Sequence, residues 1–206
     1  MGIKPERDRI LLVGHGRENL HQIEGVLPGV VTLLEIHDPK NPPHEISSEI
    51  DAAVFYTSIH DGISQSLIHL WNYVAERMIP RLLVISIKGE SESDFDDIVL
   101  IARRTLEEMG TPFLVIHSED GRPIGLIDIV NSVVTDYSEG KTDSHQADSE
   151  LENLVVEFRE EYLELIETYS EDGFAQGLVA LAIPVDIENG LGVDKIKDSL
   201  ANLTKL

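Results

Sequence analysis

Short apolar runs along this chain alternate with segments whose apolar residues recur every three or four positions, the pattern of a mostly parallel sheet covered by helices. Ile10-Leu11-Leu12-Val13 reads as a buried strand running into Gly14-His15-Gly16. Asn19 to Val26 reads as a short helix stopped near Pro28, and Val30 to Ile36 as a second strand ending at His37-Asp38. Pro39, Pro42 and Pro43 make the next stretch irregular, since proline fixes φ and has no N–H to donate. Ala52 to Ile59 gives the third strand, ending at His60-Asp61-Gly62.

Leu67, Trp71, Val74 and Met78 share one face of a helix over Ser64 to Met78, which Pro80 closes. Leu82 to Ile87 is a further strand. Ser93-Asp94 then caps a helix whose buried stripe is Phe95, Ile98, Val99, Ala102, Leu106 and Met109, and Gly110 ends it. Pro112 to His117 and Ile124 to Val134 read as strands or a hairpin joined by Glu119-Asp120-Gly121. Residues 138–150 are polar and read as a flexible acidic loop. A long helix follows with Leu154, Phe158, Tyr162, Leu165 and Tyr169 on one face, then a strand, Leu178 to Val185, and a helix, Val193 to Leu203.

Composition narrows the classes. At 206 residues and 42% hydrophobic the chain suits one large domain with a real core. No apolar run approaches the ~20 residues of a membrane span, and the N-terminal residues lack a signal-peptide pattern, so a cytoplasmic protein without membrane association is expected. The absence of cysteine excludes disulfides, thiolate metal sites and cysteine nucleophiles. Acidic residues number 38 against 16 basic ones, a net charge of −22. That balance repels phosphates, no basic patch offsets it, and no direct DNA binding is expected. The acidity reads first as a solubilising surface, with an acidic docking face as the alternative.

Four stretches from Asp51 onward, in order over about 150 residues, point one way: Ala52-Ala53-Val54-Phe55 with His60-Asp61-Gly62, then Trp71 through Pro80-Arg81 to Phe95 without a gap. Glu119, Asp120 and Gly125-Leu126-Ile127-Asp128-Ile129-Val130 follow, and then Ile183-Pro184-Val185, Asn189, Gly192-Val193 and Leu200. In this order they resemble the GTPase domain of translation elongation factor G: the third set is similar to the small insertion peculiar to that factor, and the last to its final strand, loop and helix. The resemblance implies an α/β fold with helices on both faces of a mostly parallel sheet, a P-loop GTPase-like three-layer domain over residues 1–206. Residues 117–176 would be the insertion.

The nucleotide motifs that the resemblance implies are degenerate. A phosphate loop needs G-x-x-x-x-G-K-[ST]: glycines let backbone N–H groups close on phosphates, lysine neutralises them, and the hydroxyl binds magnesium. After Gly14 the matching positions hold Asn19, Leu20 and His21, leaving Gly14, His15, Gly16 and the early Arg17 as remnants. The magnesium-supporting aspartate maps to Asp38, but no glycine follows at the third position, and the catalytic histidine has only His44 as a candidate. The guanine-reading Asn-Lys-x-Asp maps to Ser86, Ile87, Lys88 and Gly89, with the base-reading aspartate gone. Without that bidentate acceptor guanine loses its discrimination, ~10⁴ or more. No catalytic residue is therefore expected, and no cofactor. A pseudo-GTPase acting on a protein partner or the ribosome is the first expectation, and a domain binding GTP or GDP with magnesium through unorthodox contacts is the second. A third stands on the residues alone. His15, His37, His60 and His117 each follow a strand, and His15, His37, Asp38 and His60 make a candidate metal set with hydrolytic potential.

Overall fold

Two sheets carry the chain, each built from a different sequence pattern. The computed structural model describes residues 9–36, 49–138, 142–170 and 172–203. The first elements are β1 (Arg9–Gly14), α1 (Arg17–Glu24), β2 (Val30–Glu35), β3 (Ala52–Ser58), α2 (Gln65–Ala75), β4 (Arg81–Ser86) and α3 (Phe95–Thr105). Next come β5 (Met109–Gly110), β6 (Phe113–His117), β7 (Pro123–Asp128), β8 (Val133–Asp136) and β9 (Asp143–Gln146). The chain continues with α4 (Ser149–Leu154), α5 (Val156–Tyr169), β10 (Ala180–Val185) and α6 (Val193–Leu203).

The six-stranded sheet has the order β2-β1-β3-β4-β10-β5, and every neighbouring pair is parallel. Its central strands are apolar at consecutive positions because helices cover both faces. Leu11, Val13, Ala53, Phe55, Leu83 and Ile85 face α2 and α3, meeting Leu67, Leu70, Trp71, Ile98 and Val99. Their neighbours Ile10, Leu12, Val54, Leu82, Val84 and Ile183 face Leu20 and Ile23 of α1, Leu165 of α5, and Ile196 and Leu200 of α6. The caps are local: Ser64 accepts from Leu67 N, and Asp94 and Asp97 form a reciprocal capping box at the start of α3. The four-stranded antiparallel sheet, β6-β7-β8-β9, encloses a smaller cluster of Ile127, Ile129, Val134 and Val155.

Trp71, Arg81 and Phe95, which carry much of the sequence resemblance, are all core residues. Trp71 packs on Phe55 with ring centroids 4.8 Å apart. Arg81 is 2% exposed and forks onto Glu107, while its Nη1 donates to the carbonyls of Ile79 and Gly177 at 3.0 and 2.9 Å.

Several sequence expectations are corrected. The long helix expected from Leu154 breaks at Val155 into α4 and α5. Met78, expected on the buried face of the helix from Ser64, lies beyond its end at φ +52° and 60% exposed. The helix expected to run through Met109 to Gly110 ends at Thr105, and Met109-Gly110 instead form β5. Arg103 turns the chain back by donating to the Met109 carbonyl, and Gly110 lies so close to Tyr162 that a Cβ there would sit 2.7 Å from the ring. The run from Ile124 to Val134 is two strands rather than one. Asp128 Oδ1 accepts from the N–H groups of both Val130 and Asn131, closing a turn that Ser132 completes at φ +55°. The loop expected over 138–150 contains β9, whose four exposed polar residues pair with β8 through the backbone and one side-chain bond, Ser144 Oγ donating to Thr135 Oγ1 at 3.3 Å, and Asp148 then caps α4. Residues 139–141 lie outside the described residues. Among the described residues no helix is long and apolar enough to cross a membrane.

At the other end of β1, Asp51 accepts from Arg9 N at 2.8 Å and from the Arg9 guanidinium. The backbone hydrogen bond is the main cause that holds its carboxyl below the usual range, with the charged side chain adding to it. A depressed folded-state pKa contributes stability above the unfolded value near 3.8, and that contribution is lost as pH falls through the folded value. Asp51→Asn is therefore expected to lower the urea midpoint at neutral pH, and the gap from the parent to close on acidification below pH ~4. A gap that stays constant with pH would refute this role.

Candidate functional site

In an open parallel sheet ligands bind beyond the carboxyl ends of the strands, where the strand order reverses. Here that point lies between β1 and β3, since β1 leads to β2 on one side while β3 lies on the other. The turn leaving β1 is only His15-Gly16, because β1 ends at Gly14 and α1 begins at Arg17. Gly14 is wedged: a Cβ there would lie 2.7 Å from the Tyr56 carbonyl and 2.9 Å from Leu20 Cδ2. Leu20 thus packs α1 directly onto the strand end. Two residues cannot wrap phosphates as an eight-residue phosphate loop does.

The remaining polar groups at these strand ends are tied to one another. His15 Nε2 lies 2.9 Å from Ser64 Oγ, joining the turn to the cap of α2. Arg17 is directed along α1, its Nε donating to His21 at 3.4 Å. His60 Nε2 bonds the Lys88 carbonyl at 3.1 Å and lies against Gly89. Lys88 Nζ is paired with Glu188, and Ser58 Oγ donates to Asp61 at 2.6 Å. Asp186, 5% exposed, accepts from Asn189, and its Oδ1 is buried with no hydrogen-bond partner among the described residues. Tyr56 is buried between these groups. Burial chiefly pushes its hydroxyl pKa up, Asp61 and Asp186 push it the same way, and Ser86 and Lys88 oppose. With Asp61, Asp186 and Glu188 around one paired lysine, the field at this edge is negative and unfavourable to phosphate.

Of the candidate metal set, His15 and His60 are engaged separately, and His37 and Asp38 lie outside the described residues, as does His44. Among the described residues no group of three or more His, Asp or Glu is arranged to hold a metal. His117 does not belong with the parallel strand ends: it closes β6 of the antiparallel sheet.

What sequence reasoning missed is a cleft of about 770 Å³ between the β4–α3 loop, the β6–β7 hairpin and the α4–α5 segment. Leu114, Ile116, Ile127, Leu154 and Phe158 give it apolar walls, and Ile59 and Ile87, just beyond β3 and β4, reach it from the parallel sheet. Its edge carries Glu90, Asp94, Asp96, His117 and the paired Asp120 and Arg122. Asp96 stays exposed to solvent, and partial desolvation pushes its carboxyl pKa up, with Asp94 and Asp97 adding to the effect and Arg103 and His117 opposing it. The available signal was the apolar stripe expected along one long helix, which the structure breaks at Val155 into α4 and α5. Leu154 and Phe158, spaced as core residues, are 67% and 40% exposed, and only Leu165 of the stripe is fully buried.

These features define an α/β protein with a six-stranded parallel sheet, a companion antiparallel sheet, and an apolar cleft between that sheet and the strand ends. A crystal structure of a protein from Thermus thermophilus has a similar fold, with a TM-score of 0.72 and 18% identity over 97% of this chain. The match covers 40% of that longer chain, and at this identity the likeness is one of fold. No protein-family model and no curated protein matches the sequence.

Proposed function

We propose that this chain is a degenerate GTPase-like domain of the elongation factor G kind, acting through contacts with a protein or the ribosome rather than by hydrolysing GTP. One observation carries the reading: the two-residue turn after β1, with Gly14 pressed between the Tyr56 carbonyl and Leu20, where a phosphate cradle would need open backbone. The pairing of Lys88 with Glu188 and the acidic neighbours Asp61 and Asp186 support it from the electrostatic side. The location of this domain in the cytoplasm, a protein or ribosomal partner, and independence from cofactors belong to the same proposal.

A second reading, a domain that binds GTP or GDP with magnesium by unorthodox contacts, draws on the position of Gly14 and His15 at the strand-order reversal and on the uncapped N-terminus of α1. Thermal melting separates the two. A nucleotide present at about a hundred times its dissociation constant adds ~2.7 kcal/mol of stability, or several degrees in a chain of this size. Millimolar GDP, or GTP with magnesium, is expected to leave the melting temperature unchanged. A rise of several degrees would favour the second reading.

A further inference from the structure

We infer that the cleft between the β6–β7 hairpin, the α3 N-terminus and the α4–α5 segment is a docking groove for an amphipathic helix of a partner protein, apolar on one face and basic on its flanks. The inference rests on the contact-module reading above and names the surface and chemistry through which it works. The walls are apolar and open: Leu154 at the end of α4 and Phe158 in α5 stand 67% and 40% exposed. The cleft is also lined by half-buried Leu114 and Ile116 of β6, over the buried Ile127 of β7. A volume of about 770 Å³ accommodates several large side chains, the three or four anchors that a helix presents at i, i+3 or i+4 and i+7.

Charge selects the occupant. Among the described residues Glu90, Asp94 and Asp96 at the edge form no ion pair, with only Arg103 and the His117 ring offering Asp96 partial compensation, whereas Arg122 is neutralised by Asp120. The ionised form of Asp96 is held at a cost, which an incoming lysine or arginine would relieve. A second copy of the chain fits poorly, since each copy carries a net charge of −22 and would bring like charge to the edge. An anionic partner fails for the same reason.

The probe is a synthetic helix of about 18 residues, five turns, with leucine at the i, i+3, i+4, i+7 positions and lysine elsewhere. Its controls are the same apolar face with glutamate in place of lysine, and a lysine–leucine peptide of identical composition with the pattern scrambled. At near-physiological salt the first is expected to bind with micromolar affinity and both controls at least tenfold more weakly. Leu154→Asp and Phe158→Asp are expected to weaken binding about tenfold or more, as central anchors do. Both residues are solvent-exposed, and an unchanged melting temperature verifies the fold of each variant. Equal binding of the scrambled peptide, binding indifferent to both substitutions, or no binding would overturn the groove. A Leu154-dependent dimer in sedimentation would replace the partner with a second copy and overturn it too. Nucleotide binding would instead sink the contact-module reading, so the two failures are distinguishable.

Discussion

Arg81→Ala is expected to destabilise the protein by about 3–5 kcal/mol, the range for removing one partner of a buried ion pair. For a chain of this size that lowers the melting temperature by about 10 °C, at some 2–4 °C per kcal/mol. The reason is that Arg81 serves several acceptors at once. Its fork binds Glu107, its Nη1 binds the carbonyls of Ile79 and Gly177, and its guanidinium lies 5.6 Å from the Trp71 ring centre. Removing it leaves a carboxylate and two carbonyls without their donor inside the fold. Glu107 keeps 21% of its side chain exposed and can recover some hydration, which places the loss toward the lower end. Replacing the pair together, Arg81→Met with Glu107→Leu, is expected to restore most of the stability, because no charge is then left unpaired. Thermal melts of the single and double variants check this; a single variant as stable as the parent would contradict it.

Gly192→Ala is expected to cost about 3 kcal/mol or more, for two reasons that add. Gly192 has φ +76°, where an L side chain loses about 1–2 kcal/mol. A Cβ there would also lie 2.2 Å from the Pro184 carbonyl oxygen of β10, and backbone cannot rotate away as a side chain can. The loop must shift, disturbing the Asp186 N to Leu191 O bond at its neck and the start of α6. Gly121→Ala separates the two contributions. Gly121 has φ +79° with nothing within 4 Å of the added Cβ, so its cost is the backbone part alone, about 1 kcal/mol. Urea midpoints of the two variants should therefore differ clearly; equal losses would mean that the Pro184 contact is unimportant.

The core was legible because burial repeats regularly. Ile10 to Val13, Ala52 to Phe55 and Leu82 to Ile85 read as strands from their unbroken apolar runs, and α6 falls on its expected bounds, Val193–Leu203. The same regularity explains the resemblance to the elongation factor domain. Trp71, Arg81, Phe95 and Ile183 are core residues, so the likeness they carry is one of packing. Elements without a pattern were not legible. β5 has two residues, and β9 is four exposed polar residues with no apolar periodicity. The stripe from Leu154 to Tyr169 misled for another reason: its spacing read as one helix, but Leu154 ends α4 and Phe158 lies in α5, and spacing does not say whether such side chains meet a core or an open cleft. At the strand ends a small offset decided the most. Asn19 as the start of α1 would have left room for a loop, whereas a start at Arg17 removes it.

Titration calorimetry of the nucleotide-stripped protein with GDP, and with GTP plus magnesium, tests the central claim most directly. No heat of binding up to millimolar nucleotide is the predicted result, and it would leave a domain that works by contact. Binding at micromolar strength or tighter would contradict the account and return attention to Gly14, His15 and the N-terminus of α1.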